Sequence, residues 1–571
     1  MSETSVTKPR KQKRDDYLVQ GSILAAATVI TKVIGVVYRI PLTNILGDEG
    51  NGFYGYAYQV YAIALMLSSL SLPTAVSKLV SERMAAKQRK NAFRVFLCSL
   101  VFSITVGLII SLAIFFGAGA ISGQFMKSPL SVYALKVLAP GLFIVAVMAV
   151  LRGYFQGLNT MIPTAISQII EQLVNAVVSI VGASVLFGMG RRAGEKSGEE
   201  LLGAAYGAAG GTLGTVVGAV AGLIFLIFVF SLYSRVIKRQ MARDYSVKQE
   251  SYRHILKVLV FTAVPVIFST AIYNINQILD LTIFNHVMDA QGFAEKEYMA
   301  LQGIYTGKYD TLINVPMSIP YALSASIVPS LTVAVTAGAA RKVSQKIDQT
   351  LRLTMLIAIP SCVGFIALAS PLMVLLYNDS SKTPARLLML GAVVIVLYGW
   401  ATITNSVLHG LNHMSDPAKH AGISLVVHLV ALVIMLAVFK LNVYALVGSN
   451  IVFAVCMCIL NQTKIHKICG FKVDWMNTIG KPLAAAAVMG VVTYAVHFML
   501  DHLIGGRVIP TVAAILVAVV VYFVVILKTG TVSPDDILAL PMGGRLLSFV
   551  RKTGLLKESI AEETDSGEDQ E

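Results

Sequence analysis

The sequence has 571 residues, of which 56% are hydrophobic and only 13% charged, against about a quarter charged in soluble chains, so water is excluded as its main solvent. Its mean hydropathy is +0.72, and its apolar blocks of about 20 residues or more suit helices crossing a hydrocarbon core of about 30 Å, not the alternating ten-residue strands of a membrane barrel. The formal net charge of +15 comes from Lys and Arg in short connections, with no continuous basic face, which excludes nucleic acid as a partner.

A basic run at Lys8, Arg10, Lys11, Lys13 and Arg14 (basic tail 1–20) precedes an apolar stretch from Gly21 to Leu46. That stretch is too long for the core of a signal peptide and reads as the first membrane helix. Further helices are predicted at 53–80, 92–120, 130–153, 161–188, 201–234, 254–287, 303–336, 350–377, 385–409, 418–439, 443–462, 480–502 and 508–528. The fold class is therefore an all-α polytopic membrane protein with about 14 transmembrane helices. Basic connections at 81–94, 235–257, 341–352 and 464–481 alternate with weakly charged ones at 47–52, 378–383 and 440–442, which places both termini in the cytoplasm. The connection 188–200 departs from the trend with Arg191, Arg192 and Lys196, offset by Glu195, Glu199 and Glu200. The tail 531–571 ends in the acidic segment from Ser559, which lacks apolar periodicity and reads as disordered.

The pentapeptide GLNTM at Gly157 to Met161 recurs as GLNHM at Gly410 to Met414, an offset of 253 residues, each followed by a proline, Pro163 or Pro417. Leu72-Pro73-Thr74-Ala75 pairs loosely with Val328-Pro329-Ser330-Leu331 at a similar offset. The two matches suggest a duplicated six-helix unit: lobes at 21–240 and 241–478, with an extra helix pair at 479–530. Because six is even, both lobes enter the bilayer in the same orientation, a transporter architecture with the substrate site expected between the bundles.

Ionisable groups inside membrane helices normally face a cavity or a partner. Lys32 and Arg39, seven residues apart, share one face of the first helix, with Thr28 and Thr43 extending the stripe and Gly35 between them. Two cations with no acidic residue in the stripe suggest an anionic ligand such as a diphosphate; snorkelling or a carboxylate on another helix is the alternative. Lys78 near the inner end of the second helix and Lys308 at the eighth are further cationic candidates, with snorkelling open for Lys78. Gln59 in the second helix, Asn276, Gln277 and Asp280 in the seventh, and Asp310 in the eighth are candidates for a polar cavity. In the seventh, Tyr273, Gln277 and Asp280 form a stripe beside Asn274, and Asp280 or Asp310 is a candidate partner for Arg39 or Lys308. Glu171, with Gln168 and Gln172, lies three turns into the fifth helix, as a proton-coupling carboxylate or a structural hydrogen bond between helices. Gly203, Gly207, Gly211, Gly214, Gly218 and Gly222 form a close-packing ridge on the sixth helix. No G-x-x-x-x-G-K-[ST], H-E-x-x-H or G-x-S-x-G occurs, so no ATP site, metal, cofactor or enzymatic centre is expected. The five Cys read as small buried hydrophobes, and His409, His413 and His420 as surface residues.

The run Arg152-Gly153-Tyr154-Phe155-Gln156-Gly157 through Met161, with Pro163-Thr164-Ala165, Ser167-Gln168 and Glu171-Gln172, resembles the signature of the stage V sporulation protein B and YtgP group. Tyr38-Arg39-Ile40-Pro41-Leu42 with Gly47-Asp48-Glu49-Gly50 does so too. This group belongs with MurJ-like lipid II flippases in the multidrug/oligosaccharidyl-lipid/polysaccharide exporter superfamily. The resemblance implies a V-shaped pair of six-helix lobes, a cationic cavity for a lipid-linked diphosphate sugar and, with two extra helices, a groove for the polyprenyl tail. It also implies essential arginines on the first, second and eighth helices. Lys32 stands at one such position, Arg39 is displaced from another by one residue, and Lys78 and Lys308 stand near the other two. Lysine in place of arginine lacks the bidentate fork for phosphate. The expected function is a flippase moving an undecaprenyl-diphosphate-linked saccharide across the cell membrane, with the lipid bilayer and cell-wall synthesis enzymes as partners. The alternatives are a cation-coupled multidrug exporter and a non-transporting scaffold for cell-wall synthesis.

Overall fold

The computed structural model describes residues 11–70, 72–242, 244 and 249–531. The acidic tail and the start of the basic run lie outside them. Among the described residues the chain is helical, with no strand. Twelve stretches are long and apolar enough to cross a membrane. One of them, Ala26–Ala85, has 60 residues, about twice the length that one crossing needs. It is two spans, because Gly47 (φ 67, ψ −177) interrupts α1 (Lys11–Leu65). The turn expected over 47–52 is thus made at a single residue, in a left-handed φ that glycine adopts without strain. With the 39-residue apolar helix α7 (Tyr252–Ala290), the count reaches the fourteen expected.

The chain forms two compact units, Met1–Gly307 and Lys308–Glu571. Unit 1 holds α1, α2 (Leu72–Ala85), α3 (Arg89–Ala120), α4 (Val132–Gly157), α5 (Ile162–Ser197), α6 (Leu202–Ala242), α7 and α8 (Glu295–Gly303). Helix α7 packs on α1, α2 and α3 within unit 1, so the compact units and the six-helix sequence repeat do not end at the same residue. The α6–α7 connection is tied to the α2–α3 corner: Arg83 donates through Nε and Nη2 to Glu250 (3.1 and 2.9 Å), and Asp244 accepts from the Lys90 backbone N–H at 2.7 Å. The segment 188–200, expected as a loop, is mostly helix: α5 runs on to Ser197 and ends at left-handed Gly198, with an exposed Arg191–Glu195 pair at 3.7 Å.

Helices α5 and α6 touch along the glycine ridge. A Cβ at Gly210 would lie 2.1 Å from Gly182 O, at Gly214 2.1 Å from Ser179 Oγ, and at Gly218 2.5 Å from Glu171 O. Glycine is what lets these backbones approach, since there is no hydrophobic force between helices in lipid and close packing must hold them.

Unit 2 holds α9 (Asp310–Thr336), α10 (Ala340–Ala367), α11 (Ala369–Tyr377), α12 (Lys382–Gly391), α13 (Val393–Gly410), α14 (Ser415–Ala437), α15 (Tyr444–Cys469), α16 (Lys481–Ile504) and α17 (Val508–Lys528). The last two dock on α10: Leu356, Ala485, Ile526 and Leu527 form a buried cluster, and the Tyr522 hydroxyl donates to Leu356 O at 2.9 Å.

The repeat is visible in the backbone. Asn159 (φ 60) and Asn412 (φ 65) both turn left-handed. The N–H of Asn159 bonds Gln156 O at 3.0 Å and that of Asn412 bonds His409 O at 3.1 Å; the next residues, Thr160 and His413, bond Phe155 O and Leu408 O at 3.1 and 2.9 Å. Each turn is also held from a neighbouring helix: Ser81 Oγ donates to Gly157 O (3.1 Å), and Thr332 Oγ1 to Gly410 O (3.4 Å). Ser81 therefore corresponds to Thr332, an offset of 251 residues. The looser match of Leu72–Ala75 to Val328–Leu331, at 256 residues, is out of register by more than a helical turn.

Candidate functional site

In unit 1 the two arms of α1, before and after Gly47, bring Arg39 against Tyr54. The half-buried guanidinium lies 4.1 Å from the ring centroid, a cation–π contact. Tyr54, Tyr58 and Tyr61 follow i, i+4, i+7 spacing and form one ladder. The first two rings are parallel within 8° at 5.9 Å, and the third is tilted at 6.1 Å. Beside Arg39, the Tyr38 hydroxyl accepts from Asn175 Nδ2 at 3.3 Å. Ser179 Oγ lies 2.9 Å from Asn175 Oδ1 and 2.7 Å from Gly211 O, linking the glycine ridge to this wall. A Cβ at Gly35 would stand 3.3 Å from Gln172 Nε2, so the missing side chain lets α5 approach.

Glu171 is paired. Arg152 Nη2 reaches its Oε2 at 2.7 Å while Nε donates to Ser167 Oγ at 3.0 Å. Among the described residues Arg39 has an aromatic partner and no ion-pair partner. The Glu171 carboxylate is neutralised by Arg152, whereas Arg39 is held by an uncharged ring. Lys32, two turns before Arg39, is exposed, as is Lys78; Gln59 is half-buried. On α7, Asn276 and Asp280 are buried while Gln277 is exposed, so the expected stripe does not present one environment. Asn276 Oδ1 has no hydrogen-bond partner among the described residues. The side chains of Tyr273 and Asn274 lie outside the described residues.

In unit 2, Lys308 Nζ lies 2.5 Å from Asp379 Oδ2, with side-chain exposures of 8% and 16%. Asp379 Oδ1 also accepts from the Ser381 backbone N–H at 2.8 Å. Burial raises the Asp379 pKa, but the hydrogen bonds from Lys308 and Ser381 outweigh it and hold the carboxyl below its ordinary value. Asp280 or Asp310 is the expected partner for Arg39 or Lys308; in this structure Arg39 stacks on Tyr54, and Asp379, which was not expected, pairs with Lys308. Asp310 is half-buried in the first turn of α9.

His413 and His420, expected as surface residues, are held. His413 Nδ1 lies 3.0 Å from Asp416 Oδ2, which also pairs with Lys464 at 3.0 Å. His420 Nδ1 lies 2.7 Å from Asn461 Oδ1. All five Cys are free; Cys362 is buried and the other four are half-buried. Sequence reasoning missed the roles of Arg152, Tyr54, Tyr58 and Asp379. The tyrosine spacing was there to be read; Asp379 carried no signal, being 71 positions from Lys308.

A family model described as "Polysaccharide biosynthesis protein" matches residues 18–335, from α1 almost to the end of α9. The chain belongs to this family. Stage V sporulation protein B of Bacillus subtilis (strain 168) is 32% identical over 155 residues, 27% of this chain and 30% of that protein. Another protein of that organism, the uncharacterized membrane protein YabM, is 35% identical over 153 residues, 28% of its length. This chain thus spans less than a third of either relative. The lipid II flippase MurJ of the same organism aligns at 24% identity over 516 residues, 88% of this chain and 92% of that one. Among solved structures, an inward-facing multidrug resistance MATE family transporter of the MOP superfamily superposes with a TM-score of 0.60 at 17% identity, over 79% of this chain and 98% of that one. Lipid II flippase MurJ in an inward closed conformation does so with 0.58 at 14%, over 88% and 97%. The two structural likenesses show a shared fold, the exporter fold implied by the sequence signature.

Proposed function

We propose that this multi-span membrane protein is a flippase, not an enzyme, and translocates an undecaprenyl-diphosphate-linked saccharide, lipid II or a related precursor, across the cell membrane by alternating access. The observation that carries the reading is Arg39: it is stacked on Tyr54 at 4.1 Å, while the nearby carboxylate of Glu171 is taken by Arg152 at 2.7 Å. A cation held by a neutral ring keeps its charge for an anion, and a diphosphate is the anion available to a membrane-soluble lipid. Lys32, exposed two turns away on the same helix, is the second contact. The family, and the near full-length alignment with a lipid II flippase, support this substrate class.

In this reading both termini are cytoplasmic and the two six-helix repeats, 21–240 and 241–478, are the lobes. Lys78, Gln59, Asn276, Gln277, Asp280 and Asp310 are secondary polar contacts, and Lys308 is held in reserve by Asp379. A membrane potential supplies about 2.3 kcal/mol per charge for each 100 mV, enough to bias a doubly charged headgroup. A cation-coupled multidrug exporter would need an acidic cavity, which the Arg152–Glu171 pair disfavours.

The test is appearance of lipid II in the outer leaflet of cells depleted of their own flippase, supplied with this protein or its Lys32→Ala/Arg39→Ala variant. Rescue by the parent alone is expected. Failure of the parent at normal membrane levels would remove lipid II as the cargo, and equal rescue by the variant would remove the cationic site.

A further inference from the structure

The proposed diphosphate site accounts for Arg39 and Tyr54 but not for Tyr58. That ring is the neighbour of Tyr54, on which Arg39 is stacked. Yet it is 42% exposed, while Tyr54 and Tyr61 on either side are buried. Tyr54, Tyr58 and Tyr61 share one stripe of α1; Tyr54 meets Arg39 and Gly211 and Tyr61 meets Gly141, so Tyr58 stands on the protein-facing side of the helix with its own face left open. Its orientation is fixed from behind: Tyr54 lies parallel to it within 8° at 5.9 Å, and Tyr61 abuts it at 6.1 Å. Packing alone gives no reason to leave one ring of this ladder open between two buried ones, where it forgoes the burial that makes aromatic side chains stabilising.

We propose that Tyr58 is the platform on which the first sugar ring of the substrate stacks, a subsite for a pyranose joined directly to a diphosphate; this rests on the reading of the site as a lipid-diphosphate site. A pyranose has an apolar face of C–H bonds and a rim of hydroxyls. The open face of Tyr58 takes the first by C–H contacts with the ring, and its phenol is a donor and acceptor for the second. The ladder sets a phosphate-binding group and an open ring in sequence along one helix face. Arg39 sits over Tyr54 and Tyr58 is one ring further on, as the sugar is one bond beyond the phosphate. The contact to the ring face is tolerant of which hexose is bound, so Tyr58 selects for a saccharide headgroup rather than for one sugar.

The experiment is binding to the full-length protein in phosphatidylcholine nanodiscs of two ligands: bare undecaprenyl diphosphate, and the same lipid carrying its saccharide. Tyr58→Ala is expected to weaken the saccharide-bearing lipid about tenfold, corresponding to the loss of one stacked ring face, and to leave the bare diphosphate unchanged. Tyr58→Phe retains the ring and should stay within about threefold of the parent for both. Unchanged binding of the bare lipid also shows that the alanine variant is folded. Equal losses for the two lipids, or no loss for either, would overturn the subsite. Failure of the parent to bind either lipid would instead overturn the diphosphate reading, and the subsite with it.

Discussion

Arg152 touches no proposed ligand, yet its removal should weaken ligand binding. The side chains of Arg152 and Glu171 keep 14% and 27% of their surface exposed, so the pair is largely withdrawn from water. Arg152→Ala leaves a carboxylate with its charge uncompensated in the cavity wall. Breaking a buried pair from one side costs about 3–5 kcal/mol; with a quarter of Glu171 accessible, about 2–3 kcal/mol is expected here. The second consequence is electrostatic. For an assumed separation of about 10 Å, Coulomb's law at an effective dielectric constant of about 20 gives a repulsion of roughly 1.7 kcal/mol between a bare carboxylate and each phosphate charge, or over tenfold in affinity. Arg152→Ala/Glu171→Gln removes that charge and should recover most of the binding while leaving the stability loss partly in place. The assay is a Kd for undecaprenyl diphosphate in nanodiscs beside a melting curve for each variant. Undiminished affinity in Arg152→Ala, or a double variant that binds no better than the single, would refute the claim that Arg152 acts by neutralising Glu171.

Tyr54→Ala should free the Arg39 guanidinium and weaken binding of the bare diphosphate by about 1 kcal/mol, whereas Tyr54→Phe keeps the ring and should not; the same Kd measurement checks both. Gly218→Leu places carbon where Glu171 O stands 2.5 Å from a Cβ, so α5 and α6 must separate and little folded protein should survive detergent extraction. Gly188→Ala, with nothing within 4 Å, should be neutral or slightly stabilising. Asp379 has its carboxyl held below the usual value, so its contribution to stability is present at neutral pH and lost as pH falls through the folded-state pKa. Unfolding followed from about pH 6 to about pH 3 should show a loss that Asp379→Asn, already less stable at neutral pH, does not show.

The helices were legible because a hydrocarbon core demands long apolar segments, and that demand is written in composition. The fifth helix was cut short at 188 because its extension, with Arg191, Arg192, Glu195 and Lys196, is polar; the continuation to Ser197 rests on backbone hydrogen bonds and the Arg191–Glu195 pair, outside the apolar criterion. The GLN turns were legible for a similar local reason: Asn159 and Asn412 occupy left-handed positions that asparagine tolerates better than most residues. The second repeat match failed because proline and small residues are common in membrane helices and do not fix register. Ser81 and Thr332, which do fix it, differ in type and are recognisable only by the carbonyls they reach.

The site was legible in its cations and not in their partners, and the reason lies in what a ligand-binding cation requires. A search along the sequence looks for the opposite charge, and it named Asp280 or Asp310 for Arg39 or Lys308. A carboxylate partner would have compensated Arg39 and left little charge for an anionic ligand. A tyrosine face steadies the guanidinium through its quadrupole while adding no net charge. The carboxylate that does line this wall is cancelled by Arg152, one helix away. Ion pairing thus holds Glu171 in the wall and ring stacking holds Arg39, which leaves the guanidinium charge available to the ligand proposed above. Lys308, by contrast, is closed on Asp379 at 2.5 Å and largely buried, so its charge is compensated within the fold.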